Sequence, residues 1–334
     1  MRVTGIDTAR FFAYCGMVLV NFRLAAEVSS TGDWPSRITD ALEGRAAALF
    51  VVLAGVGLAL GRARTSDTLK RAVVLMTLGL LNLTIFEADI LHFYAFYFLA
   101  ALPFLSASPK QLWLAILGIL VLSMAAHLVL DYDRNWTWDT LYYEGFWTVD
   151  GFALHTLFNG WHPVLPWLAF LLLGLWLGRL PLRRRSVQLT MTAVGSLVAA
   201  AGALPQHALQ DPDLRALLDT AMIPPGPTYV IAASGSAVAA LGLVLLLQPV
   251  LDRLRIAPWL IAPGRMALSL YLLHILVGMG TLEALGLLGG QLSTSGIFAI
   301  SLLACAVSAV FGVLWTRAFG LGPLEQLMRW VVKR

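Results

Sequence analysis

Only two cysteines occur in 334 residues, and charged side chains make up just 13% of the chain. Cys15 and Cys305 both fall inside long apolar runs, so no disulfide framework is expected. The shortage of charge excludes a water-soluble globule: with 59% hydrophobic residues, too little polar material remains to cover one. No His-Glu-x-x-His spacing, Gly-x-Ser-x-Gly elbow or phosphate loop occurs, which leaves metal and serine-hydrolase chemistry poorly supported. No metal is therefore expected. Internal repeats and low-complexity tracts are missing as well.

What the chain has instead is a ladder of long apolar segments. A hydrocarbon core of roughly 30 Å takes about 20 apolar residues per helix, and only helices or closed barrels satisfy their backbone there. The runs are too continuous for barrel strands. The sequence predicts an all-α polytopic bundle with ten spans, near 9–26, 45–61, 69–86, 90–107, 111–130, 163–180, 187–204, 227–249, 267–285 and 296–317, forming a single domain over residues 1–334. Eighteen of the 23 Lys and Arg residues, but only four of the 19 acids, fall on the side that bears both termini. By the positive-inside rule that side is cytoplasmic. Asp7 and Arg10 enter the first run and no small-residue cleavage site follows, so a removable signal peptide is not expected. A pI near 9.3 is explained by short basic turns, without any nucleic-acid partner. The expected partner is a lipid bilayer, and a homo-oligomer is compatible with the sequence.

Ionisable groups at membrane depth are costly and mark functional candidates. In the first span Arg10 stands three residues from Asp7, where the two can pair, and Asn21 lies near the far end. Glu43 and Arg45 precede the second span, where Arg45 either pairs with Glu43 or holds an anion. Gly55, Gly57 and Gly61 on that span suit close helix packing. Arg62 and Arg64 occupy the next basic turn. Asp89 and His92, three apart at the start of a helix, form a candidate proton relay, with a solvated turn as the alternative. The segment 131–162 interleaves aromatics with acids, as in a sugar-stacking surface or an interfacial aromatic belt, and ends with Trp161 and His162 at the mouth of the sixth span. Of the remaining histidines, His127 and His155 are expected at the interface and His207 in a loop. His274 sits mid-span, where it is either functional or a buried hydrogen bonder.

Several motifs in order resemble the YeiB-like bacterial membrane family. They are Ile6-Asp7-Thr8-Ala9-Arg10 through Val20-Asn21, Leu49-Phe50-Val51-Val52-Leu53-Ala54-Gly55, and Asp89-Ile90-Leu91-His92-Phe93-Tyr94-Ala95. Near the C-terminus, Gly264-Arg265-Met266-Ala267-Leu268-Ser269-Leu270-Tyr271-Leu272 and Phe319-Gly320-Leu321-Gly322-Pro323-Leu324-Glu325 look like that family's closing motifs. The first span and Pro163 to Gly174 are also similar to the heparan-alpha-glucosaminide N-acetyltransferase family. The resemblance implies transfer of an acyl group from acyl-CoA, acetyl-CoA first among the donors, to a glycan or small-molecule acceptor across the membrane. One departure stands out. Acyltransferases of the acyltransferase-three type place a His after ten intervening residues beyond the first-span Arg, where this chain has Asn21 after Arg10; the heparan type keeps Asn and draws a His from the next loop, yet residues 22–44 contain none.

On this reading Arg10, Arg62 or Arg64 meet the donor's phosphates. His162 or His92, oriented by Asp89, takes the acceptor's proton. Asn21 or Arg45 stabilises the oxyanion, and Glu43, Arg45 and Trp161 contact the acceptor. The rivals are a transporter of an amphipathic small molecule, against which stands the lack of an inverted repeat, and a non-catalytic partner in an envelope complex.

Overall fold

The computed structural model describes residues 2–208, 211, 215 and 218–333. The chain is 74% helix and 1% strand, which excludes a membrane barrel in favour of helical crossings. Arg334, the side chain of His207 and part of segment 205–226 lie outside the described residues.

The helices are α1 (Thr4–Ala25), α2 (Trp34–Leu42), α3 (Arg45–Leu60), α4 (Thr65–Leu83), α5 (Leu91–Ala101), α6 (Pro109–Val129), α7 (Val149–Leu154) and α8 (Val164–Leu177). They continue with α9 (Arg185–Ala208), α10 (Pro227–Arg253), α11 (Ala257–Gly264), α12 (Ala267–Leu273), α13 (Gly280–Ala284), α14 (Thr294–Phe319) and α15 (Pro323–Lys333). A two-residue hairpin, β1 (Trp136–Thr137) with β2 (Tyr142–Tyr143), pairs Trp136 with Tyr143.

Among the described residues six helices are long and apolar enough to cross a membrane: Trp34–Leu60, Pro109–Val129, Arg185–Gln206, Pro227–Arg253, Ala267–Ala284 and Thr294–Phe319. A seventh is added if Val149–Asn159 and Val164–Leu177, bent by 52°, form one broken span. The protein is thus an integral membrane protein whose environment is a lipid bilayer. The other expected crossings are helical too. Leu91–Phe104 is apolar but shorter, while α1 and α4 are diluted by Arg10 and Arg23, and by Asp67, Lys70 and Arg71.

The residues gather into two compact units. The first comprises Met1–Phe50, Leu182–Gly195 and Ser236–Arg334. Within it α1 packs against α11, α12 and α14. Its polar groups bond one another, as lipid requires: Thr8 Oγ1 donates to Gln248 Oε1 at 2.8 Å, Gln248 Nε2 donates to Asp252 Oδ1 at 3.0 Å, and the Tyr14 and Ser308 hydroxyls meet at 2.7 Å.

The second unit comprises Val51–Pro181 and Ser196–Gly235. Here α4 packs on α5, and α8 on α5 and α6. Gly55 serves packing, as expected: a Cβ there would come within 2.1 Å of Leu171 O, and one at Gly174 within 2.0 Å of Val52 O. Only paired glycines let these two backbones touch. Segment 131–162 folds into a cap around Asn159. The Asn159 amide donates to Tyr132 O and Arg134 O, its Oδ1 accepts from Tyr143, and its carbonyl accepts from the Trp136 indole. Tyr132, Tyr143, Phe146, Phe158 and Trp161 are buried in the cap, while Tyr142 and Trp147 point outward.

Candidate functional site

Both units hold buried polar groups. In the first, α1 presents Asp7, Arg10 and Asn21 along its length. Asp7 is 1% exposed, and its Oδ1 lies 3.0 Å from Arg10 Nη1 while Oδ2 lies 2.8 Å from Arg2 Nε. The pairing of Arg10 with Asp7 read from their spacing is therefore present. The guanidinium offered to the donor's phosphates already has a carboxylate, which lowers its appeal as an anion site.

At the other end of α1, Asn21 Nδ2 stands 3.1 Å from Nε2 of His274. His274 Nδ1 bonds the carbonyl of Tyr271. A carbonyl only accepts, so Nδ1 carries the proton and Nε2 holds the lone pair, which receives the Asn21 amide. The ring is buried between Tyr14, Phe22 and Tyr271, with centroids 5.9, 6.3 and 5.2 Å away. It opens a π-helical turn, His274–Met279. Such turns displace side chains from the α-helical register and recur at functional sites. Chemically, the arrangement is a neutral imidazole with one orientation, one basic nitrogen and one amide donor beside it.

The second cluster begins where α4 meets α5. A Cβ on Gly79 would fall 2.2 Å from His92 N, so glycine alone allows α4 to reach the turn before α5. Asn82 Nδ2 donates to Asp89 Oδ1 at 2.8 Å, and Asp89 Oδ2 accepts from both His92 N and His92 Nδ1 at 3.2 Å. Asp89 and His92 are fully buried, so the solvated-turn alternative is overturned. His92 Nε2 meets no hydrogen-bond partner among the described residues. His155, expected at the interface, is instead 2% exposed, with its ring 5.8 Å from that of His92 and stacked on it. The correction has a physical cause: a second π turn, His155–Asn159, rotates it inward against Phe93, Tyr143 and Phe146. His162 lies across Phe93, ring centroids 5.9 Å apart, and packs on Trp167 at 4.6 Å. The rings of Trp161 and Trp136 meet edge to face at 5.6 Å.

The remaining expected site residues fall elsewhere. Glu43 accepts from Arg23 Nη2 at 3.0 Å, beside the Arg23–Asp40 pair, so Arg23 is an ion-pair partner of Glu43 that the sequence reading did not name. Glu43 is exposed and Arg45 is half-buried. Arg62 and Arg64 are exposed in the turn after α3, where Arg62 takes a φ of +47°. By unit, Arg10, Asn21, Glu43 and Arg45 belong to the first, and Arg62, Arg64, Asp89, His92, Trp161 and His162 to the second. Sequence reasoning missed Asn82 as the anchor of Asp89, His155 as the neighbour of His92, and His274 as the partner of Asn21. Only the last had a signal, a histidine placed mid-span. Among the described residues no group of three His, Cys, Asp or Glu side chains is arranged to hold a metal ion.

Two family models match the chain. The one described as heparan-alpha-glucosaminide N-acetyltransferase, catalytic, matches residues 2–210. The other, described as a protein of unknown function (DUF418) and corresponding to the YeiB-like family, matches residues 174–334. The first match contains Asn21 and the second contains His274. No curated protein matches the chain.

Proposed function

The chain belongs to the heparan-alpha-glucosaminide N-acetyltransferase catalytic family, and from that premise we propose that it is a membrane acyltransferase whose reaction centres on Asn21 and His274. The donor is a cytoplasmic acyl-CoA, acetyl-CoA first, and the acceptor is a hydroxyl or amine on a glycan or small molecule outside the bacterial cytoplasmic membrane. The proposed topology has ten crossings and cytoplasmic termini, from the eighteen-to-five division of basic residues.

The observation that supports this centre is the 3.1 Å contact between Asn21 Nδ2 and His274 Nε2. The family reading leaves Asn21 without the histidine of the following loop, and the last third of the chain supplies one. His274 Nε2 takes the proton of the acceptor as its oxygen or nitrogen bonds the thioester carbonyl carbon. Asn21, released from Nε2 by the incoming acceptor, turns its amide to the oxyanion. The carbon–sulfur bond then breaks, and the imidazolium returns the proton to the departing thiolate. Tyr271 O keeps the tautomer throughout.

A second reading gives proton removal to His92, favoured by its bond to Asp89 and by an Nε2 without a partner among the described residues. His162 has no comparable orienting carboxylate among the described residues. The two readings separate in one experiment on purified protein: release of CoA thiol from acetyl-CoA with a panel of amino sugars and glycans. His274→Ala should abolish turnover while acetyl-CoA still binds, and His92→Ala should retain it. The reverse result transfers the base to His92. If wild type binds no acyl-CoA, transport or a non-catalytic role in an envelope complex replaces acyl transfer.

A further inference from the structure

Beyond the acyl-transfer cluster, the C-terminal helix builds a basic groove. The apolar α14 ends at Phe319, the chain reverses at Gly320 with a φ of +82°, and Pro323 starts α15. One edge of α15 is clamped to the start of α12. Glu325 Oε1 accepts from Leu268 N at 2.8 Å and Ser269 N at 3.2 Å, and Oε2 accepts from the Ser269 hydroxyl, which itself accepts from Leu324 N. The carboxylate thereby caps a helix N-terminus far away in sequence. Gln326 ties the helix back to the reversal through Leu321 O at 2.9 Å.

With that edge held, Gln326, Arg329, Trp330 and Lys333, spaced by three, four and seven, fall on one face. Together with Arg265 and Phe319 they line an open groove of about 540 Å³, within the roughly 300–1,000 Å³ span of small-molecule sites. Among the described residues three cations line it and no carboxylate does. The Nε of Arg265 is buried there with no hydrogen-bond partner among the described residues. Beside the cations, Phe319 is 62% and Trp330 51% exposed. Water would oppose such exposure. A bilayer boundary favours it, since a helix long enough to cross ends at Phe319 and aromatic rings settle at headgroup level.

We propose that this groove binds the phosphate headgroup of an anionic phospholipid, with Arg265, Arg329 and Lys333 on the phosphate and Phe319 and Trp330 among the upper acyl carbons. Guanidinium groups match phosphate oxygens in pairs. An amphipathic helix with a basic polar face is the form that lies in a membrane interface. Here it does so while covalently joined to the end of a spanning helix. The phosphates of CoA share the chemistry, but the groove's exposed aromatics sit at lipid depth, which favours the lipid.

The test is native mass spectrometry of the full-length protein offered dioleoyl phosphatidylglycerol, dioleoyl phosphatidylcholine or CoA. Wild type should retain phosphatidylglycerol in preference to phosphatidylcholine. The exposed-face variant Arg329→Gln/Lys333→Gln should lose affinity by about 30-fold, the worth of two basic residues at an anionic lipid surface. Arg37→Gln, on a different element, should not. A photoreactive phosphatidylglycerol should crosslink within residues 319–333. Equal retention of the two lipids, unchanged affinity in the double variant, crosslinks confined to other segments, or displacement of phosphatidylglycerol by CoA would each overturn the proposal.

Discussion

Asn21 and His274 stand 253 positions apart in the chain, yet their side-chain nitrogens are 3.1 Å apart. Each comes from a different helix, and the imidazole is held by a second bond to Tyr271 O. An amide donor fixed beside a basic nitrogen is a compact means of handling both the proton and the negative charge of an acyl transfer. It also links residues 2–210 and 174–334, the two stretches that separate family models match, within one compact unit.

If Asn21 serves the oxyanion, Asn21→Ala should lower turnover by about 100- to 1,000-fold, the usual worth of one oxyanion donor. Acetyl-CoA affinity should stay near that of wild type, because the amide acts on the transition state. A variant that loses affinity and keeps its turnover number would make Asn21 a donor-binding residue instead.

Asp89 holds one imidazole and one amide in a fully buried position. Removing one member of such a pair leaves the others unsatisfied, so Asp89→Ala should destabilise by about 3–5 kcal/mol. Asn82→Ala, which takes away a single neutral donor, should cost about 1–3 kcal/mol. Melting followed by size-exclusion profile in detergent gives the order. Equal, small shifts for both would show that the cluster contributes little to the fold.

Asp33 caps α2 through Ser36 N at 2.9 Å and accepts from Thr294 Oγ1 on α14. These bonds, that of Thr294 foremost, hold its carboxyl down at about 2, below the roughly 3.9 of an unfolded chain. Between those values the unfolded state binds the extra proton, so stability falls as the pH drops. The contribution is complete above about pH 4 and is lost on passing through about 2. Asp33→Asn should flatten that limb of a stability curve. An identical acid limb in both proteins would remove Asp33 from it.

The topology is tested by single cysteines at Ser66 and Thr137 in a background lacking Cys15 and Cys305. An impermeant thiol reagent should reach Thr137→Cys in intact cells and Ser66→Cys only after permeabilisation. Labelling of both in intact cells would overturn the proposed orientation and place the acceptor in the wrong compartment.

Most of the helical segments were legible because lipid imposes length and apolarity together. The run expected at 111–130 is Pro109–Val129, and that at 296–317 is Thr294–Phe319. The span expected at 267–285 was harder, since the helix widens at His274 into a π turn that no hydropathy pattern encodes. The short α11 was not foreseen, as its apolar residues look like the margin of a neighbouring span.

At the site, local pairs were readable and distant ones were not. Arg10 with Asp7 follows from three-residue spacing along α1, and His92 with Asp89 from the same spacing across the start of α5, a short-range geometry that the local backbone dictates. The sequence by itself thus determined the all-helical membrane class, the near neighbours along each helix and the family resemblance. Tertiary structure alone decided that Asn21 meets His274, that His155 turns inward to His92, and that Glu325 caps α12. The reason lies in the solvent. Lipid leaves buried polar groups no partner except one another, and which one each finds depends on how the helices pack, information carried by shape across the fold and not by any single segment.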